Sequence, residues 1–78
     1  MKAYVLLNTK PGTSEEVLKA IRVARSVKGV ILADSLYGRF DAIVVIEAKD
    51  IQVISQTIYK VIEQMPNVMH TETMLTIF

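Results

Sequence analysis

Two short polar clusters, Gly38-Arg39-Phe40-Asp41 and Thr71-Glu72-Thr73, interrupt runs that are otherwise strongly apolar. The first lies between Val30–Tyr37 and Ala42–Ile46, where a hairpin tip is expected. Glycine there permits a positive φ and leaves N–H groups facing outward. Asp41 beside it either accepts from an ammonium group or caps the turn. The plainer reading of the cluster is hairpin geometry alone. Arg39, at the tip, either pairs with an anionic ligand or a neighbouring subunit, or simply keeps the surface soluble. In the second cluster Thr71 and Thr73 are alternate residues, so on a strand they share one face. Their hydroxyls line a cleft, or they are there as good strand formers. Glu72 points the other way, as a surface or subunit-contact charge.

The rest of the chain must position these clusters. Ala3–Leu7 is rich in strand formers, and Asn8–Gly12, with Pro11-Gly12, reads as a turn. Thr13 and Glu16 fit the S/T-x-x-E capping pattern, so a helix should start near Thr13 or Ser14. Val17, Ala20, Ile21, Ala24 and Val27 keep helical spacing as its buried stripe, and Gly29 is a natural stop. Val30–Tyr37 and Ala42–Ile46 follow as strands. The latter is apolar throughout, as suits a central strand covered on both faces. Asp50 should cap a second helix with Ile51, Ile54, Ile58, Val61, Ile62 and Met65 on its inner face, ended by Pro66-Asn67. Met69–Phe78 is the last strand. The halves superimpose at an offset of 38 residues, which places Gly29-Val30 on Asn67-Val68.

The order βαββαβ, with right-handed crossovers, predicts an α+β ferredoxin-like plait over residues 1–78, a single domain with antiparallel strand order 4-1-3-2. Two helices of this length cover one face of the sheet. One alternate set (Ala3, Val5, Leu7, Ala42, Val44, Ile46) or the other (Tyr4, Leu6, Ile43, Val45) then stays uncovered, and either patch is large for a monomer. A second copy packed sheet to sheet would cover it, giving a dimeric α/β sandwich.

Composition excludes several function classes. The 78 residues are 51% hydrophobic, too apolar for a disordered chain, and a core of this size is marginal without a partner. With no Cys and one His, His70, the chain offers neither a thiolate nor a histidine metal site. No cofactor is called for. A net charge of +1 makes no case for nucleic acid. No apolar run reaches the ~18 residues of a membrane span, and Met1 leads into a strand rather than a signal peptide. A cytoplasmic location is the default. Lys19, Arg22, Arg25 and Lys28 recur every three residues and read as a solvated helix face, offset by Glu15, Glu16 and Asp34, rather than as a docking stripe for an acidic partner.

The succession Val5-Leu6-Leu7, Lys10-Pro11-Gly12, Glu15-Glu16-Val17-Leu18, Gly29-Val30, Gly38-Arg39-Phe40-Asp41 and Pro66-Asn67-Val68 with Thr71 and Thr73 resembles the effector-binding (RAM) domain of Lrp/AsnC transcription regulators. The resemblance covers essentially the whole chain. Its most specific parts are the G-x-[FY]-D turn and the ending from Asn67 to Thr73. It implies a plait that dimerises and assembles further, commonly to an octamer. It also implies a small effector, usually an amino acid, bound between dimers against Gly38, Arg39, Phe40, Asp41, Thr71 and Thr73. An amino acid's ammonium needs a carboxylate and its carboxylate needs N–H donors; a glycine-bearing turn beside Asp41 supplies both. The apolar tail from Met74 to Phe78 suits such further assembly.

Full-length relatives carry a helix-turn-helix that binds DNA. Here Met1 opens onto the first strand, so the resemblance points to a stand-alone form without direct DNA binding, able to modulate full-length Lrp/AsnC regulators by mixed assembly. The stretch from Glu15 to Gly29 is about three residues longer than the family pattern, close to one helical turn. Asn67 replaces the usual Gly, and asparagine also tolerates the left-handed conformation.

Two alternatives use the same scaffold. Pro11-Gly12 before a helix is similar to the ACT domain, an amino-acid sensor, but the following Thr-Ser-Glu-Glu reads as a helix cap instead. Cofactor-free plait enzymes of monooxygenase or isomerase type need a pocket with a convergent acid or base. The chain has no Cys, no Trp and no paired carboxylates at a suitable spacing, so catalysis is not expected.

Overall fold

The computed structural model describes residues 1–24 and 26–78. Arg25, one cation of the expected basic stripe, lies outside the described residues. The elements are β1 (Lys2–Thr9), α1 (Ser14–Val23), β2 (Val30–Ser35), β3 (Ala42–Glu47), α2 (Ile51–Gln56) and β4 (Val68–Leu75). Between α2 and β4 the helical path continues through a wide π-type turn, Thr57–Val61, and a tight 3-10 turn, Ile62–Gln64. The sheet runs β2-β3-β1-β4 with every neighbour antiparallel, which is the expected order read from the opposite edge.

The strand alternation decides which set faces the helices. Ala3, Val5 and Leu7 sit opposite Ile46, Val44 and Ala42, and all six are wholly buried. They pack with Val17, Leu18 and Ile21 of α1 and with Ile54, Ile58 and Ile62 of the second helical stretch. The opposite face carries Tyr4 and Leu6 of β1, across from Val45 and Ile43 of β3, flanked by Leu32 of β2 and Met74 of β4. Among the described residues no element covers that face, yet its centre is nearly dry: Val45 is 5% exposed, shielded by its own neighbours.

Asp50 caps α2 as its position predicts, with Oδ1 accepting from the Val53 N–H at 3.0 Å. The first helix departs from expectation at both ends. Thr13 occupies the N-cap position, but its hydroxyl donates back to the Lys10 carbonyl at 2.6 Å and caps no helical N–H, so the reciprocal pairing with Glu16 does not form. The helix stops at Val23, and Ala24 is already extended, well before Gly29. Val27 explains the early exit. On a continued helix it would share the face of Ala20, which is exposed; only by leaving the helix does it reach the core. The additional length between Glu15 and Gly29 therefore does not extend the helix. Leu18 takes the inward place expected for Ala20. Likewise Ile51 is exposed while Thr57 is buried, and β2 ends at Ser35, two residues short of Tyr37. The last strand ends at Leu75, leaving Ile77 and Phe78 bare.

The architectural repeat is visible in the backbone. Gly29 and Asn67 both take positive φ, +79° and +74°, immediately before β2 and β4. Each then accepts a strand-end N–H on its carbonyl: Glu47 on Gly29 at 2.8 Å, Lys10 on Asn67 at 3.0 Å.

Candidate functional site

The Gly38–Asp41 cluster forms the tip of the β2–β3 hairpin, closed by the Leu36 N–H donating to the Asp41 carbonyl at 2.8 Å. Gly38 has φ +144° and open space where a side chain would start. Tyr37, Gly38 and Arg39 are exposed and Phe40 is half-buried. Among the described residues, the backbone amides of Tyr37, Gly38, Arg39 and Phe40 make no backbone hydrogen bond. The tip thus holds four N–H donors with no protein acceptor.

Asp41 is tied down on two sides. Its N–H donates to the Leu7 carbonyl at 2.8 Å, and its Oδ2 accepts the Thr9 N–H at 2.8 Å, with the Thr9 hydroxyl at 3.5 Å. The carboxylate therefore caps the end of β1 instead of its own turn. This is a structural use that neither simple reading of the residue foresaw. The pairing of β1 with β3 ends at Leu7 and Ala42, so the Thr9 amide, which faces the β3 side two residues further on, has no strand partner there and takes the Asp41 carboxylate. Oδ1 has no protein partner among the described residues.

Thr71 and Thr73 share a face, as their spacing requires. They lie opposite Leu7 and Val5, on the helix side of β4, while Glu72 lies opposite Leu6 on the uncovered side. Leu7 also pairs with Ala42 across the sheet. Asp41 and Thr71 consequently belong to the same end of the sheet, two strand spacings or roughly 10 Å apart. They do not line one cavity within a single chain. Thr71 borders a groove with Glu63, Val68, Met69 and His70; Thr73 borders another, of about 230 Å³, with Ile54, Ile58, Tyr59, Leu75 and again Glu63.

Glu63 is the residue the sequence did not single out. The tight turn at Ile62–Gln64 brings its Oε2 to accept the Thr71 hydroxyl at 3.0 Å, and it borders both grooves. Its one sequence signal is a carboxylate on the outer face of the last helical turn, which reads as solvated. The basic stripe, by contrast, dissolves. Lys19 pairs with Glu15 at 3.6 Å, the Arg22 guanidinium donates to the Ala33 carbonyl, and Lys28 lies beyond the helix. Among the described residues no group of three or more His, Asp or Glu side chains could share a metal ion, and no helix is long and apolar enough to cross a membrane.

Comparison with known proteins gives one family: the model of the Lrp/AsnC ligand binding domain matches residues 2–77. Among solved structures, FFRP-DM1 is 30% identical, with 97% of each chain covered and a TM-score of 0.86. The hypothetical protein PHS023 from Pyrococcus horikoshii is also 30% identical, with 99% of this chain and 89% of that one covered and a TM-score of 0.85. AsnC of E. coli shares the fold at 13% identity and a TM-score of 0.85, 99% of this chain matching 50% of that one. A search of curated proteins found no match.

Proposed function

The chain belongs to the Lrp/AsnC ligand-binding domain family, and we propose that it is an effector-binding and assembly module that holds an amino acid or related small metabolite between dimers. The observation that carries this reading is the hairpin tip: four unengaged backbone amides beside a carboxylate with one free oxygen. An α-amino acid presents both complements, a carboxylate for the amides and an ammonium for Asp41. In one chain the tip stands open and Thr71 and Thr73 belong to separate grooves, so a second dimer is needed to close a site around a ligand. The uncovered sheet face, centred on Tyr4, Leu6, Ile43 and Val45, supports a sheet-to-sheet dimer as the unit of that assembly, with larger rings such as an octamer built from it. A module of this kind would regulate by joining full-length Lrp/AsnC proteins in mixed assemblies, and would itself perform no catalysis.

Two substitutions at Asp41 test the ligand assignment. Asp41→Asn keeps an acceptor oxygen for the Thr9 amide and removes the charge. It is expected to stay folded while losing roughly 10- to 150-fold in affinity for the effector, the equivalent of about 1.5–3 kcal/mol for a hydrogen bond to a charged group. Asp41→Ala additionally orphans the Thr9 amide and should cost about 1–3 kcal/mol of stability. Calorimetric titration with the amino acid that a binding screen identifies is the measurement. Unchanged affinity in folded Asp41→Asn would leave Asp41 as the strand cap only and remove it from the site.

A further inference from the structure

At the other end of β2 from the Gly38 turn, a groove of about 260 Å³ opens between the α1–β2 connection and the second helical stretch. It is lined by Ser26, Lys28, Gln56, Thr57 and Lys60, with Val53 and Val61 as apolar walls. Two ammonium groups, an amide and two hydroxyls thus border one groove, and no carboxylate lines it. Thr57 is the informative member. It is 6% exposed, and among the described residues its hydroxyl makes no hydrogen bond; a helical threonine would ordinarily bond the carbonyl one turn back. Among the described residues no fully enclosed side-chain oxygen or nitrogen lacks a partner, so the Thr57 hydroxyl is reached from the groove that Thr57 lines. Thr57 also starts the wide turn Thr57–Val61, an uncommon distortion that recurs at functional sites. The groove lies in the helix layer, so a dimer formed through the uncovered sheet face leaves it open.

We propose that this groove binds the phosphate group of a small anionic metabolite, with Lys28 and Lys60 supplying charge and Thr57, Gln56 and Ser26 supplying directed donors. Two lysines facing no carboxylate repel each other, and a doubly charged oxyanion relieves that repulsion. The hydroxyl of Thr57 adds the directional element that a purely solvated pair of lysines lacks. The proposal uses none of the residues assigned to the effector, so the two sites stand or fall separately.

The test is a titration of the isotope-labelled protein with inorganic phosphate and with pyrophosphate, followed by amide resonances at constant ionic strength against a chloride control. Saturable shifts are expected at Lys28, Gln56, Thr57 and Lys60, larger for pyrophosphate, and weakening as salt rises through the order of 0.15 M. The double variant Lys28→Gln/Lys60→Gln, altered only at exposed positions, should bind about tenfold more weakly or worse. Thr57→Val should weaken binding several-fold and Thr57→Ser should restore it, a pattern that loss of packing alone does not produce. Shifts that never saturate, or a double variant that binds as tightly as the parent protein, would overturn the proposal.

Discussion

Leu6→Asp is expected to abolish dimerisation and to leave a destabilised monomer. Leu6 lies on the uncovered face of the central strand, opposite Ile43 and next to Glu72 of β4. In a lone chain it is half-buried; against a second sheet it would be enclosed. A carboxylate placed there meets no cation, since its neighbours across the sheet are an isoleucine and another carboxylate. An uncompensated buried charge costs about 3–5 kcal/mol, comparable with much of the stability of a domain this small. Sedimentation at low micromolar concentration should show a dimer for the parent protein and a monomer for the variant, with a large fall in melting temperature. A parent protein that sediments as a well-folded monomer, or a variant that dimerises as before, would refute the sheet-to-sheet arrangement.

Gly29→Ala should be the most damaging small substitution in the chain, and Gly12→Ala supplies its internal control. Both glycines hold nearly the same left-handed backbone, φ +79° and +77°. A methyl group at either costs roughly 1–2 kcal/mol from that conformation alone. At Gly12 the added carbon meets nothing within 4 Å, whereas at Gly29 it would lie 2.1 Å from the Glu47 carbonyl oxygen. That oxygen is backbone, and the Glu47 N–H donates to the Gly29 carbonyl at 2.8 Å, so neither side can move without breaking the join of β2 to β3. Overpacking of this kind adds about 1–3 kcal/mol. Thermal melts of the two variants should therefore separate clearly, with Gly29→Ala far lower. Equal melting temperatures would mean that the close approach is not what the glycine is for.

Gly29 also shows what kind of information a sequence carries. A glycine after a helical pattern reads as a helix stop, and its positive φ is indeed real. The reason for it is a contact with Glu47, residues away in the chain, and no local pattern encodes that contact. The same distinction runs through the fold. The alternation in β1 and β3, the Asp50 cap and the left-handed Asn67 are local properties of residue type and spacing, and each was legible. The end of α1 was not, because it depends on Val27 being drawn into a core assembled from distant strands. The inward places of Leu18 and Thr57 likewise depend on how the helices roll against the sheet, where adjacent positions of the helical pattern compete.

At the candidate site, residue types were legible and their partners were not. The Gly38–Asp41 turn could be placed on a hairpin because apolar runs flank it. That Asp41 spends one oxygen on Thr9 follows from β1 running on past its last pair with β3, Leu7 with Ala42, which is fixed only once the strands are side by side. Thr71 and Thr73 were given a common face by alternation alone. The meeting of Thr71 with Glu63 required the tight turn that closes the second helical stretch. Glu63 is consequently a second carboxylate at this end of the molecule.

The central claim is that this module senses an amino acid, and a thermal-shift screen of the twenty amino acids, followed by calorimetric titration of the strongest, tests it most directly. The account predicts that at least one raises the melting temperature saturably, with about 2.7 kcal/mol of added stability at 100 times the dissociation constant. It further predicts that Asp41→Asn removes about half of that stabilisation or more at the same ligand concentration, while its own unliganded melting temperature stays close to the parent's. A protein whose melting temperature none of the twenty amino acids moves, at concentrations well into the millimolar range, would contradict it.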